Sequence, residues 1–105
     1  MKHYCIEITP TARESLLEIG EYIALDNPIR AMSFVDEITN SLQKTLSIFP
    51  YSGKIVEHLD IEQEIRIWPY SNYNNYYRIL EDKKRVEVLF IFHSSRDIQS
   101  LITAL

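Results

Sequence analysis

Hydrophobic residues recur with two different periods along the chain, and the change of period divides it into regions. Between residues 10 and 49, apolar side chains return every three or four positions, which predicts amphipathic helices. On either side, at residues 4–8 and 65–93, apolar and polar residues alternate, which predicts strands. The predicted order is a strand, two helices and three strands, with a short helix over "DIQSLITAL" closing the chain.

The first helix is predicted to begin at "TPTARE". Either Thr9 caps it with Pro10 at the first helical position, or Thr11 caps it with Glu14 completing a capping box. Its apolar stripe consists of Ala12, Leu16, Ile19 and Ile23. The stripe indicates that one face of this helix lies against a core.

The second helix is predicted to follow at "DNP", with Asn27 as its cap and Pro28 at its first position. Its apolar stripe consists of Phe34, Val35, Ile38, Leu42, Leu46 and Phe49. Because so few residues separate the two helices, they must form an antiparallel hairpin. "FPYSG" ends the helical pattern at Pro50 and Gly53.

The last predicted strand, "RVEVLFIFH", is apolar on both faces and is therefore expected to be central. Strict alternation places Val86, Val88, Phe90 and Phe92 on one face, and Leu89 and Ile91 on the other. The predicted fold is α+β: a helix hairpin packed on one face of a mostly antiparallel four-stranded sheet, in a single domain spanning residues 1–105. The helix-free face is expected to carry Tyr76, Arg78, Leu89 and Ile91, with Trp68 as a further candidate, and to meet a partner.

Composition narrows the functional classes. Hydrophobic residues make up 46% of the 105 positions and charged residues 25%, as in an ordinary globular domain. The formal net charge of −4 argues against binding that depends on neutralising many phosphates. With only Cys5, the chain has no internal disulfide. No apolar run reaches membrane-span length, and "MKHYCIEITP" lacks the pattern of a signal peptide, so a cytoplasmic location is expected.

Candidate chemistry is concentrated at the end of the last strand, in "VEVLFIFHSSRD". His93 has the titration range of a general acid or base, but a strand-end histidine bonded to backbone is the favoured interpretation. The Arg96 guanidinium suits a phosphate or a carboxylate of a target protein, or an ion pair with Asp97 or Glu7. We expect no metal and no cofactor, because acidic residues, histidines and the cysteine show no ligand spacing.

Two further arginines, Arg66 and Arg78, alternate with apolar residues on strands. They form a small cationic patch with Arg96 if both point away from the helices; otherwise they pair with acidic neighbours, which is the slightly favoured alternative. The candidate acidic neighbours are Glu64, Glu81 and Glu87. Tyr73, Tyr76 and Tyr77 are able to stack on bases, although half-buried strand tyrosines are commoner.

Four strings, in this order and spacing, resemble the RelE/ParE superfamily of toxins from bacterial type II toxin–antitoxin pairs, and the ParE-like branch in particular. They are "LLEIGEYIALDNPIRAMSFVDEI", "LSIFPYSGK", "IRIWPYSNYNNYYRI" and "VEVLFIFHSSRD". The resemblance implies a growth-inhibiting toxin, of the plasmid-stabilisation kind, that binds DNA gyrase. It also implies a cognate antitoxin that neutralises the toxin within a hetero-oligomer.

The resemblance leaves two alternatives. One is a ribosome-dependent, metal-independent mRNA endonuclease of the RelE-like branch, with His93, Arg96 and Arg78 as catalytic candidates; the other is a degenerate, non-toxic binding module. Binding is favoured over cleavage, because the loop "KIVEHLDIEQE" is acidic and Ile102 stands nearest the terminal aromatic position of the nucleases. The candidate target contacts are Arg96, Arg66, Arg78, Tyr76 and Trp68. The candidate antitoxin contacts are Phe34, Ile38 and Leu42.

Overall fold

The computed structural model describes residues 3–57 and 63–96. Two helices, α1 (Pro10–Ala24) and α2 (Pro28–Leu46), follow the first strand, β1 (Cys5–Ile8). After a 3₁₀ turn at Pro50–Ser52 come the remaining strands: β2 (Lys54–Ile55), β3 (Arg66–Tyr70), β4 (Tyr73–Leu80) and β5 (Arg85–His93). The predicted α+β fold is confirmed. The predicted C-terminal helix lies outside the described residues.

The sheet has five strands in the order β1-β5-β4-β3-β2. The pairs β2–β3, β3–β4 and β4–β5 are antiparallel, while β1 lies parallel to β5, so the sheet is mostly antiparallel as predicted. The expected number of four strands was one too few. The extra strand, β2, contains only Lys54 and Ile55 at the sheet edge, which is too short to show alternation.

The helix hairpin forms because both helix starts carry their own caps. Thr9 accepts a hydrogen bond from the Ala12 amide and Asn27 accepts one from the Arg30 amide, each followed by proline. The first of the two predicted caps of α1 is therefore correct. The Cβ that an alanine would add at Gly20 lies 3.5 Å from Val35 Cγ2, so the two helices are in ordinary contact there.

The main core lies between the hairpin and one face of the sheet. The helices contribute Ala12, Leu16, Ile19, Phe34, Ile38, Leu42 and Leu46, and the sheet contributes Tyr77, Val86, Val88 and Ile91. Phe49 is the exception to the predicted stripe of α2, because it follows the helix and is 64% exposed. A smaller cluster on the opposite face contains Ile65, Tyr76 and Phe90.

The predicted faces of β5 are correct through Leu89 and wrong from Phe90 onwards. Tyr77 pairs with Val88 but its neighbour Tyr76 pairs with Phe90, so Leu89 is an extra residue that forms a β-bulge. After the bulge the two faces exchange: Ile91 packs in the main core, while Phe90 and Phe92 pack in the smaller cluster.

The 3₁₀ turn is fixed to the sheet by Tyr77. Its buried hydroxyl donates to the Pro50 carbonyl at 2.6 Å and accepts from the Gly53 amide at 2.9 Å. A side chain at Gly53 has no room, because its Cβ would lie 2.7 Å from the Ile67 carbonyl oxygen. The break predicted at "FPYSG" is therefore a buried link between α2 and the sheet.

No helix in the two described ranges is long and apolar enough to cross a membrane.

Candidate functional site

A cleft of about 510 Å³ opens between α1 and the end of the sheet at which β4 begins and β5 finishes. One wall comes from the helix and the other from the two strands and the residues that follow β5. It is lined by Ser15, Glu18, Ile19, Tyr22, Asn72, Tyr73, Ile91, Phe92, His93 and Arg96. The cleft therefore unites the two residues singled out in "HSSRD" with side chains from other parts of the chain.

The ring of His93 is held in place on two sides. The Ser95 amide donates to Nδ1 at 3.2 Å, with the Ser95 hydroxyl oxygen 2.8 Å from the same nitrogen. Tyr73 meets the imidazole edge to face, with ring centroids 5.5 Å apart. Because Nδ1 accepts from an amide, the neutral ring carries its proton on Nε2. His93 is thus a strand-end histidine bonded to backbone, as favoured, and also lines the cleft.

Arg96 is brought to the cleft by a tight turn after β5. Its amide donates to the His93 carbonyl at 3.0 Å, and the Ser94 amide donates to the Asn72 carbonyl at 2.8 Å, which ties this turn to the β3–β4 hairpin. The guanidinium carbon lies 4.4 Å from the centroid of the Phe92 ring. That cation–π contact holds the guanidinium itself against the ring, and its N–H groups, which lie in the guanidinium plane, remain able to contact a ligand.

Tyr73 connects the cleft to the main core. Burial raises the pKa of the Tyr73 phenol above its ordinary value of 10.0, and the nearby Tyr22 raises it further. The phenol therefore stays protonated at neutral pH and is able to donate a hydrogen bond. On its other side the ring packs against Phe34, with centroids 5.6 Å apart.

Arg66 and Arg78 do not join Arg96 in a cationic patch. Arg66 donates to the Gly53 carbonyl at 2.8 Å and pairs with Glu64 at 3.0 Å. Arg78 pairs with Glu87 on the neighbouring strand at 2.6 Å. The favoured prediction of ion pairing is correct for both arginines, so each guanidinium group is bound to a carboxylate of its own chain.

The two aromatic candidates for target contact also serve the fold. Tyr76 is 2% exposed and packs against Phe90 in the smaller cluster, with ring centroids 5.0 Å apart. Trp68 lies on the helix side of the sheet, where it packs against the main core and stacks with Tyr70. The prediction that Trp68 occupies the helix-free face is therefore wrong.

The candidate antitoxin contacts are core residues. Phe34 is 5% exposed, and Ile38 and Leu42 are fully buried between α2 and the sheet. The apolar stripe that identified them is the stripe a helix turns towards its own core. Substituting them would disturb the fold itself, and contact with an antitoxin stays a prediction for these three.

Residues on α1 that sequence reasoning did not select form one wall of the cleft. Ser15, Glu18 and Tyr22 follow each other at spacings of three and four, beside Ile19. Such a polar stripe next to an apolar one is a readable signal, although a solvated helix face produces the same pattern. Asn72, in the β3–β4 turn, was also missed.

A second concavity lies on the outer side of the helix hairpin, facing away from the sheet. This hairpin groove has a volume of about 630 Å³ and is almost entirely apolar. Met32 is 75% exposed and Leu17 is 63% exposed, although both are large hydrophobic residues. The groove is lined by Arg13, Leu16, Leu17, Gly20, Glu21, Ala24, Pro28, Ala31, Met32 and Val35. An exposed apolar surface of this kind is typical of a protein interface.

Within the described residues, no group of three histidine, cysteine or acidic side chains is arranged to hold a metal ion.

Two helices on one side of a mixed sheet, with a cleft at the end of its central strands, define a small α+β domain. Residues 6–98 match the family model described as the ParE toxin of the type II toxin–antitoxin system parDE. The chain belongs to this family, which confirms the resemblance to RelE/ParE toxins. A search of the curated proteins finds no match.

Solved structures show the same fold. The RelBE2 toxin–antitoxin complex from Mycobacterium tuberculosis contains a similar chain, with a TM-score of 0.66 and 22% identity, covering 91% of this chain and 97% of that one. The chromosomal ParDE system from P. aeruginosa gives 0.66 and 19%, covering 87% and 96%. The archaeal RelE–RelB complex from Pyrococcus horikoshii gives 0.54 and 11%, covering 90% and 99%.

Proposed function

We propose that this ParE-family toxin arrests growth by binding DNA gyrase through the cleft that His93 and Arg96 line. The match of residues 6–98 to the ParE toxin model carries the proposal. The arrangement of the arginines supports it, because Arg66 and Arg78 are engaged in the sheet and Arg96 alone of the three reaches the cleft. A single exposed guanidinium suits recognition of a carboxylate on a protein surface.

A nuclease would need several cations around one point to stabilise the charge that develops on the cleaved phosphodiester. Of the three candidate arginines, only Arg96 lines the cleft. The nuclease alternative is nevertheless supported by a specific observation: His93, Tyr73 and Arg96 line one cleft, which unites a candidate acid–base group with a cation. Two of the similar solved structures are named as RelE–RelB or RelBE complexes. We therefore keep mRNA cleavage on the ribosome as the second candidate function.

Expression of the chain alone, from an inducible promoter, distinguishes the two candidates. A gyrase-binding toxin leads to DNA breaks stabilised by gyrase and leaves translating mRNA intact. A nuclease leads to cleaved mRNA without DNA breaks. Growth arrest with cleaved mRNA and no breaks contradicts the gyrase proposal, and a chain that is expressed and folded but causes no arrest supports the degenerate binding module.

We further propose that the cognate antitoxin occupies the hairpin groove with an apolar helix or extended segment. The similar structures from Mycobacterium tuberculosis, P. aeruginosa and Pyrococcus horikoshii are all toxin–antitoxin systems. A groove with so little polar lining is best filled by apolar side chains at helical or alternating spacing. The groove and the cleft share no lining residue, so the antitoxin surface proposed here differs from the target surface.

A further inference from the structure

The β-bulge at Leu89 decides which residues reach the cleft. Before the bulge, Val86 and Val88 face the helices, and uninterrupted alternation would put Phe90 and Phe92 on that side. His93 would then point to the opposite face. The extra residue reverses the order, so Ile91 enters the main core and His93, two positions later, meets Tyr73 on the helix side.

The carbonyl groups at this bulge are held by Thr9. The Thr9 amide donates to the Val88 carbonyl at 3.2 Å. Its hydroxyl lies 2.8 Å from the Val88 carbonyl oxygen and 3.1 Å from that of Leu89, so its proton is shared between them. A bulge interrupts the regular ladder, and a side-chain donor at this point compensates for that interruption.

The same hydroxyl begins α1. Thr9 Oγ accepts the Ala12 amide at 3.2 Å, which makes Thr9 the N-cap of the helix. The helix then carries Ser15, Glu18 and Tyr22 along the other wall of the cleft. One side chain therefore contacts both the strand that supplies His93 and the helix that faces it.

We propose that Thr9 is a positioning residue for the cleft: it holds the bulge that turns His93 towards Tyr73 and fixes the start of the opposing helix. Among the described residues, Thr9 makes its hydrogen bonds to Val88, Leu89, Ala12 and Arg13, none of which lines the cleft, so it acts through β5 and α1. The use of the cleft as the target surface rests on the proposed function, whereas the control of His93 by Thr9 does not.

Substitutions at position 9 separate the two hydrogen-bonding roles. Thr9→Ser retains a hydroxyl that donates and accepts. Thr9→Asp keeps a good N-cap acceptor but, when ionised, is unable to donate to the Val88 and Leu89 carbonyls. Thr9→Val keeps the shape and removes both roles. Asn27→Ala is the matched control, because it removes the cap of α2, which has no hydrogen bond to β5 among the described residues.

The measurement is the proton NMR cross-peak between the His93 and Tyr73 rings, recorded beside thermal melting and growth arrest for each variant. We expect the cross-peak to persist in Thr9→Ser and Asn27→Ala and to be lost in Thr9→Asp and Thr9→Val. A persistent cross-peak in folded Thr9→Asp overturns the proposal, and so does its loss in Asn27→Ala. Unfolding of Thr9→Asp where Asn27→Ala stays folded also overturns it, since Thr9 would then determine the fold.

Growth arrest distinguishes a failure of this inference from a failure of the proposed function. If the cross-peak disappears and arrest weakens together, both the positioning role and the use of the cleft are supported. If the cross-peak disappears and arrest is unchanged, Thr9 still positions His93, but the orientation of His93 is not needed for binding the target. An Arg96→Ala variant that also leaves arrest unchanged would then show that the cleft is not the target surface.

Discussion

At the scale of single residues, His93 and Arg96 differ in what holds them. His93 has partners on its ring, from Ser95 and Tyr73. Arg96 makes no ion pair within the described residues, and its guanidinium rests on Phe92. An arginine near a cleft, with no carboxylate partner among the residues that the structure describes, is better suited to an external contact than to the stability of the fold.

Arg96→Ala should therefore abolish growth arrest with little change in stability. A charged contact that is desolvated at an interface is worth about 2–5 kcal/mol. The lost cation–π contact with Phe92 should lower the free energy of unfolding by at most about 1 kcal/mol. Thermal melting measured beside growth arrest tests this, and Arg96→Lys tests whether the planar guanidinium is needed. A large fall in melting temperature would make Arg96 a structural residue.

His93→Ala is the matched comparison for Arg96→Ala, since both side chains are exposed at the same end of the sheet. A toxin that binds a protein needs a surface and no proton transfer, so arrest should persist in His93→Ala. A folded His93→Ala chain without any toxicity would favour acid–base chemistry and hence the nuclease alternative.

At the scale of elements, the sequence predicted what depends on local pattern. The starts of both helices follow from Thr9-Pro10 and Asn27-Pro28, which are side chains that act within one turn. The bulge at Leu89 depends on a hydrogen bond from Thr9, 80 residues away, and no local pattern reveals it. The cleft was predicted only in part for the same reason. The sequence indicated His93 and Arg96 in "HSSRD", but it did not indicate the α1 side chains that the tertiary fold brings beside them.

Gly20 offers a test of how the helices fit. In a helix interior glycine costs roughly 1 kcal/mol relative to alanine. An added Cβ would make only an ordinary contact, 3.5 Å from Val35 Cγ2. We expect Gly20→Ala to raise the free energy of unfolding by about 0.5–1 kcal/mol, measured by urea unfolding. Gly53→Ala is the control with the opposite sign, because its Cβ would lie 2.7 Å from the Ile67 carbonyl oxygen.

If Gly20→Ala proves destabilising, the packing of α1 on α2 is tighter than the Val35 distance indicates. Because Gly20 also lines the hairpin groove, the same variant is informative in the complex. A more stable toxin that binds its antitoxin less tightly would mean that the groove, and not the fold, requires glycine at this position.

The carboxylate of Glu81 links three parts of the chain. It accepts hydrogen bonds from Tyr4 ahead of β1, from Tyr51 in the 3₁₀ turn and from Lys84 in the β4–β5 turn. These bonds, with that of Lys84 the largest cause, lower the pKa of Glu81 from 4.5 to about 2. The ionised form is the one that the folded chain stabilises.

A lowered folded-state pKa gives stability that is present above the unfolded value of 4.5 and is lost as the pH falls through about 2. Glu81→Gln removes this contribution, so its melting temperature should lie below that of the wild type at neutral pH. The difference should narrow as the pH is lowered from about 5 towards 2. Asp82→Asn, in the same turn, is the control. A difference that does not change with pH would contradict the assignment.

At the scale of the whole molecule, two surfaces lie on different sides of α1. Its outer side contributes Leu17 and Gly20 to the hairpin groove, and the exposed flank on the other side of its buried stripe contributes Glu18 and Tyr22 to the cleft. The helix buries little of its outer side against its own chain, which is costly for an isolated protein in water. A partner bound in the groove would remove that cost, as the proposed antitoxin does.

Met32→Glu should weaken the toxin–antitoxin complex without unfolding the toxin. Met32 lines the groove and is 75% exposed, so a charge at this position stays solvated in the free toxin but is desolvated when an apolar segment binds. We expect the dissociation constant to rise by at least about tenfold, which corresponds to about 1.4 kcal/mol. Titration calorimetry of purified toxin with its antitoxin measures this directly.

The matched control is Phe49→Glu, which places the same charge on an exposed large hydrophobic residue outside the groove. If the antitoxin occupies the groove, Met32→Glu weakens binding and Phe49→Glu does not, while both toxins keep a similar melting temperature and still arrest growth. Equal weakening by the two charges would indicate a general effect on association. Weaker binding in Phe49→Glu alone would indicate that the antitoxin binds near the 3₁₀ turn, and it would contradict the proposal that the antitoxin occupies the hairpin groove.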